Sequence, residues 1–321
     1  MISILRSNQP IALGLGPLVM LGCAAIGYWG WGWDPAILQK HVFWGLITLF
    51  FVHFLYTKGG FVERADSAVA IFAAWFWMAG CSFHSTLSGT SGLGLLLALG
   101  AWRPILQIQR QPSTGHLGFV AGALMGLSCW LEPGLWGGVV GMLLSHFITR
   151  SFQAREIALV FMGLLWPWVM LSAWIWILSD IEGLAFVPHL PALPVNFELG
   201  PLEVPVWGFL VLGVWLLWGV WTMVGMQSRL GVTTQIIRRN TFILSWTSAG
   251  GSLLMDAWNP EISGLSPLSW GLLAIGSSWV AGVLVPQPGR AFDELGQKRQ
   301  WTLAAIGFFC LAYALAVWSD A

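Results

Sequence analysis

The sequence predicts an all-α membrane protein, a single polytopic bundle of about eleven transmembrane helices filling residues 1–321, N-terminus cytoplasmic and C-terminus periplasmic. Three observations predict it. The chain is 57% hydrophobic and only 9% charged, with a mean hydropathy of +0.74, whereas soluble domains carry about 25% charged residues. Apolar runs recur from Ile11 to Trp318 without the polar–apolar alternation of a barrel strand. In lipid only helices and closed barrels satisfy their own backbone, so these runs are helices. Finally, the charged residues sort by side once the runs are counted.

The first ten residues hold Arg6 and lead into an apolar run over 11–31. That run is longer than a signal-peptide core, so it is expected to stay as the first helix. Further runs follow at 41–56, 67–83, 91–106, 117–131, 135–148, 157–178, 205–226, 240–255, 265–285 and 301–318. A span needs about 20 residues; the first, seventh, eighth and tenth runs meet that, and the second to sixth are shorter. With the N-terminus inside, all of the 14 Lys and Arg residues except Lys40 fall on the inner side. Asp34, Glu132, Asp180, Glu182, Asp256 and Glu261 fall on the outer side. This is the asymmetry of a bacterial inner-membrane protein. A hairpin that enters and returns from one face preserves the same parity. The short pair 117–131 and 135–148 therefore has two readings, two full spans or a re-entrant hairpin that carries Glu132 to membrane depth.

Gly122 with Gly126, and Gly137 with Gly141, have the spacing that lets helix backbones approach closely. The connection 179–205 holds five prolines and four acids without Lys or Arg, which disfavours helix. Cys23, Cys81, Cys129 and Cys310 lie in apolar runs with no CxxC pair and read as small buried hydrophobes. The 23 tryptophans are expected at headgroup level, as in Trp29, Trp31 and Trp33 or Trp166 and Trp168. No GxxxxGK[ST] or GxGxxG is present, and no basic cluster suits nucleic acid.

Arg150-Ser151-Phe152-Gln153-Ala154-Arg155-Glu156, followed by Gly163-Leu164-Leu165-Trp166-Pro167, resembles a family of uncharacterised inner-membrane proteins from Bacteroidota. That family shows an R-x-F-x-x-R-E-W segment and then G-L-x-x-P. Leu5 to Pro10 is similar to its opening pattern, and Arg238-Arg239 to a third feature; Ile157 departs from it, standing where the family tends to have Trp. The resemblance implies location and topology and carries no activity. Some members bear a carotenoid-oxygenase label, a chemistry that needs clustered His ligands for iron. His41, His53, His84, His116, His146 and His189 are scattered over several helices and both sides, so the label is not adopted.

The candidate catalytic residues are the outer carboxylates Asp34, Glu132 and Asp256. Asp34 follows a Trp-Gly ladder, Glu132 opens a Glu-Pro-Gly turn, and Asp256 ends the ninth run. In membrane transferases that use polyprenyl-linked sugars, an outer carboxylate serves as general base on the acceptor, with aromatic rings to stack on sugars. The competing reading is that all three are solvated acids at headgroup level. The first outer loop is short for a transferase, and no outer arginine is available for a diphosphate. His41 and His84 lie at outer helix ends, where either could titrate near neutral pH. His53 and His146 sit within apolar runs and read as satisfied packing residues. No metal, cofactor or protein partner follows from the residues; the bilayer is the expected partner, with a polyprenyl-linked or other lipid as the substrate a transferase would take. The expected function is thus an integral inner-membrane accessory component serving the cell envelope, with an outer-face transferase second and a transporter third.

Overall fold

The computed structural model describes residues 10–32, 34–58, 73–74, 77–78, 88–108, 115–149, 154–178, 232–258, 266, 268–269 and 271–276. Among them every regular element is helical. Helix α1 spans Pro10–Trp31, α2 Pro35–Lys58, α3 Gly89–Ile108, α4 Gly115–Leu131, α5 Trp136–Thr149, α6 Ala154–Leu178 and α7 Val232–Trp258. A 3-10 turn, Pro133–Leu135, joins α4 to α5. Each of the seven helices coincides with one apolar run of the sequence, and the helical residues at 73–78 and 268–276 fall in two more. The runs 205–226 and 301–318 and the proline-rich connection 179–205 lie outside the described residues, as does His84.

Several helices outrun their apolar segments. α2 begins at Pro35, ahead of the run that opens at His41, and α7 begins at Val232, ahead of Asn240. Hydropathy marks the part of a helix that lipid or core can accept, whereas the backbone ladder continues wherever it is capped. The entry to α2 illustrates this. Gly32 has φ +66, a left-handed conformation that suits glycine, and Pro35 takes the first helical position, where its missing N–H costs nothing.

The helices pack by backbone contact at glycines. A β-carbon on Gly122 of α4 would meet Leu164 N of α6 at 2.9 Å and Gly163 Cα at 3.1 Å. One on Gly163 would meet Ala123 N, again at 2.9 Å. Gly118 faces Val160, and Gly126 faces Leu164, so contacts advance together along both chains: α4 and α6 are parallel. The other pair runs in opposite directions. Gly134 faces Ser252, Gly137 faces Gly251 and Thr247, and Gly141 faces Thr247 and Leu244, so α5 and α7 are antiparallel. α3 is antiparallel to α4, with Gly94 against Glu132 and Gly100 against Leu124. Both glycine pairs predicted to mediate close packing do so.

The core between these helices holds Trp102, Met125, Leu95, Leu99 and Leu135, all essentially inaccessible. The outward faces are also apolar. On α6, Met162, Leu165, Val169 and Trp174 are exposed, Leu165 at 61% and Trp176 at 78%. On α5, Trp136, Val140, Leu144 and Phe147 form a second exposed stripe. Soluble monomers rarely leave contiguous apolar surface of that extent. Two helical stretches, Pro35–His53 and Arg155–Trp174, are long and apolar enough to cross a membrane. Trp166 and Trp168 stand near the middle of the 25-residue α6, and Trp174 and Trp176 near its end. Their sequence signal was composition, which does not report depth.

The crossings generate a test. Gly163→Ala should destabilise the protein by about 1–3 kcal/mol through overpacking against the α4 backbone, and Gly141→Leu should reduce the folded yield in detergent. Gly250 has nothing within 4 Å of its added β-carbon, so Gly250→Ala should be neutral or stabilise by about 0.5–1 kcal/mol. Thermal melts of the purified variants check all three, and equal melting of Gly163→Ala and wild type would assign that face to lipid.

Candidate functional site

Asp34 is exposed and caps α2. Its Oδ1 accepts the Ala36 N–H at 2.9 Å, and its carbonyl accepts the Leu38 N–H at 3.0 Å. The carboxylate thus satisfies one orphan donor at the helix start and lies at the positive end of the helix dipole.

Glu132 sits in extended backbone, φ −145 and ψ 100, between the end of α4 and the 3-10 turn. Pro133 cannot continue α4 but suits the start of a new turn. The turn folds back through the Leu135 N–H, which donates to the Glu132 carbonyl at 3.1 Å. Gly134 and Leu135 are buried, Gly134 against Ser252 and Leu268. The Glu132 carboxylate, half-buried, accepts the Ser91 hydroxyl of α3 through Oε2. Ser88 caps that same helix, its Oγ accepting the Ser91 N–H at 3.0 Å and sharing hydrogen bonds with the hydroxyls of Thr90 and Ser91. A carboxylate at a capped helix N-terminus is favoured by the dipole as well as by the hydrogen bond.

Asp256 follows the apolar segment 240–255 and is buried, at 6% exposure. Its Oδ2 accepts the Ser266 N–H at 2.9 Å. Ser252 and Ser269 share a hydrogen bond of 2.7 Å, and the Ser266 hydroxyl donates to Ser269 at 3.2 Å. Burial pushes the Asp256 carboxyl above the ordinary carboxylate range, against hydrogen bonds from Ser269 and Ser266 that lower it. This ties the C-terminal end of α7 to the helical residues at 268–276.

Two of the three candidate carboxylates therefore share one end of the bundle. The turn that carries Glu132 packs on Ser252, one helical turn before Asp256. Asp34 has a separate, exposed position on the α1–α2 connection. The Glu132 turn is also recessed. From the level where Gly126 meets Leu164, α4 continues only to Leu131, about 7.5 Å, while α6 continues to Leu178, about 21 Å.

The histidines have found partners that the sequence did not assign. His41 is buried, its Nε2 at 2.9 Å from the Trp77 carbonyl, and the Trp77 indole N–H donates to the His41 carbonyl at 3.2 Å. His146 lies at the opposite end from Glu132, with Nε2 3.5 Å from Oε2 of Glu156 on α6, both side chains about nine-tenths buried. In the sequence Glu156 stood out only as part of the Arg150–Glu156 resemblance, the serines at 252, 266 and 269 carried no motif, and the pairing of all four depends on which helices become neighbours. Among the described residues no group of three or more His, Cys, Asp or Glu is placed to hold a metal ion.

Chemically, each candidate carboxylate accepts a hydrogen bond: Asp34 from a backbone N–H, Glu132 from a hydroxyl, Asp256 from a backbone N–H. All three bonds close a helix end or a turn. Compared with known proteins, the chain matches no family model, no curated protein and no solved structure.

Asp34→Ala should cost about 1 kcal/mol through the lost cap, and Asp34→Asn only a few tenths. For Asp256 the native state holds the proton more tightly than the unfolded chain, so stability should fall as pH rises from the ordinary carboxylate value to the raised native one and stay flat above. Denaturant titrations at stepped pH should show this slope in wild type and lose it in Asp256→Asn.

Proposed function

We propose that this chain is a multi-pass inner-membrane protein of eleven helices, N-terminus in the cytoplasm and C-terminus in the periplasm, serving as a non-enzymatic accessory component of the cell envelope. The exposed apolar faces of α5 and α6 support the bilayer as its surroundings, since lipid is the solvent in which such faces cost nothing. The relative helix directions support the parity: α4 and α6 are parallel, α5 and α7 antiparallel, α3 and α4 antiparallel, each as alternating spans require. On this reading the Glu132 end faces outward and the His146 end, with Arg155 and Arg239, faces the cytoplasm. The recess of the Glu132 turn below the end of α6 favours the version in which Glu132 lies at depth over one in which it lies among headgroups. The resemblance to uncharacterised Bacteroidota membrane proteins agrees with this placement and adds no activity.

The observation that carries the accessory reading is the commitment of Asp34, Glu132 and Asp256 to helix-end and turn hydrogen bonds. These bonds give each acid a structural role at a helix end or turn, while the second oxygen of each carboxylate keeps the acceptor sites that a general base would use. The alternative, a transferase acting on polyprenyl-linked sugars at the outer face, keeps the burial of Asp256 in its favour, because desolvation moves a carboxyl toward the range of a working base.

Two experiments test the proposal. In a cysteine-free background, Thr90→Cys should react with an impermeant thiol reagent applied to intact spheroplasts, and His116→Cys only after the membrane is opened. Equal labelling of both sinks the topology. Asp34→Asn, Glu132→Gln and Asp256→Asn should each complement a deletion strain fully. Loss of complementation by one variant that still folds would favour the transferase.

A further inference from the structure

Helix α7 buries a polar face from Asn240 to Asp256. Thr241, Ser245, Ser248, Ser252 and Asp256 recur every three or four residues, Asn240 stands beside the first, and all six are buried. Five of them are satisfied. Thr241 donates to the Ile237 carbonyl at 2.9 Å, Ser245 to Phe242 at 3.0 Å and Ser248 to Leu244 at 2.7 Å. Ser252 pairs with Ser269, and Asp256 accepts from Ser266. Asn240 is the exception. Its exposure is 0%, and among the described residues neither Oδ1 nor Nδ2 has a hydrogen-bond partner. A buried polar group left in that state costs more than any single hydrogen bond contributes, and native proteins fill such sites.

The surroundings indicate what fills it. Gly141 packs against Leu244, with an added β-carbon 3.3 Å from Leu244 Cα. One helical turn further toward the His146 end, the antiparallel register puts the buried Ser145 of α5 level with Asn240. The residue after Ser145 is His146, paired with Glu156 of α6. The residue before Asn240 is Arg239, half-buried with its Nε enclosed. Three helices thus bring an amide, a hydroxyl, an imidazole, a carboxylate and a guanidinium to one end of the bundle. A cation there would face the Asn240 N–H donors and Arg239; an anion would face Glu156 and the Asn240 carbonyl. A neutral molecule that both donates and accepts suits both ends of the Asn240 carboxamide.

We propose that Asn240 heads an internal hydrated site, in which ordered water bonds both ends of its carboxamide and links α7 to the Ser145–His146–Glu156 layer of α5 and α6. Water has the required two-way hydrogen bonding, and a polar site with two to four partners is what a buried water needs. The site would set bound water at the same end of the bundle as the buried His146–Glu156 pair, a placement associated with proton handling in membrane proteins.

The test uses the full chain in lipid nanodiscs. In water-edited solid-state NMR with 15N-labelled protein, the Asn240 Nδ2 signal, assigned by its loss in Asn240→Leu, should gain magnetisation from water several-fold faster than the fully buried Leu244 backbone amide. Equal build-up at the two positions overturns the proposal, and the build-up is read on the wild-type protein, the variant serving only for assignment. Thermal melts give a second arm. If water is bound, Asn240→Leu should lower the midpoint, because the remaining partners lose their bridge. A raised midpoint would mean a dry orphan amide relieved by an apolar side chain, and would also overturn it. A small solute that co-purifies as a fixed mass increment in native mass spectrometry, and is lost in Asn240→Leu, would displace water as the occupant and contradict the proposal.

Discussion

Where α4 crosses α6, Gly122 and Gly163 leave no side chain between the two backbones, and Gly137 and Gly251 do the same where α5 crosses α7. In lipid the tails are as apolar as leucine, so no hydrophobic force selects one helix pairing over another, and close van der Waals contact has to do so. These two crossings fix more than their own helices. The parallel α4–α6 register sets the Glu132 turn below the end of α6, and the antiparallel α5–α7 register brings Ser252 to Gly134. A side chain at either crossing would push apart the elements that carry every polar cluster described above.

The polar groups then divide by how they are satisfied. At the Glu132 end, carboxylates and serines bond across elements: Ser91 to Glu132, Ser252 to Ser269, the Ser266 N–H to Asp256. Along the middle of α7, hydroxyls bond back to their own helix and present little that a neighbour must answer. At the His146 end a buried His146–Glu156 contact of 3.5 Å joins α5 to α6, while among the described residues nothing answers the Asn240 amide. One end is therefore a set of closed ties between helix ends, and the other contains a group that calls for something from outside the chain.

Much of this architecture was legible in the sequence because each helix coincides with a contiguous apolar run. Seven runs became seven helices, and the glycine spacings at 122–126 and 137–141 marked real backbone contacts. The candidate carboxylates were legible as positions in turns but not as roles. Asp34 before Pro35 already had the pattern of a helix cap, whereas the Ser91–Glu132 and His146–Glu156 pairs join residues whose neighbours only the packing decides. Depth was the least legible quantity. The type of Trp166 and Trp168 says nothing of their place mid-helix in α6, and the offset of the Glu132 turn from the end of α6 follows from where α4 meets α6.

The account depends on the outer face of α6 meeting lipid. Nitroxide labels placed singly at Met162, Leu165, Val169 and Leu164, in protein reconstituted into bilayers, test this through collision with oxygen and with a water-soluble nickel chelate. Met162, Leu165 and Val169 should be accessible to oxygen and shielded from nickel, and the buried Leu164 shielded from both. High nickel accessibility at Leu165 and Val169 would place that face in water and contradict the membrane-embedded bundle.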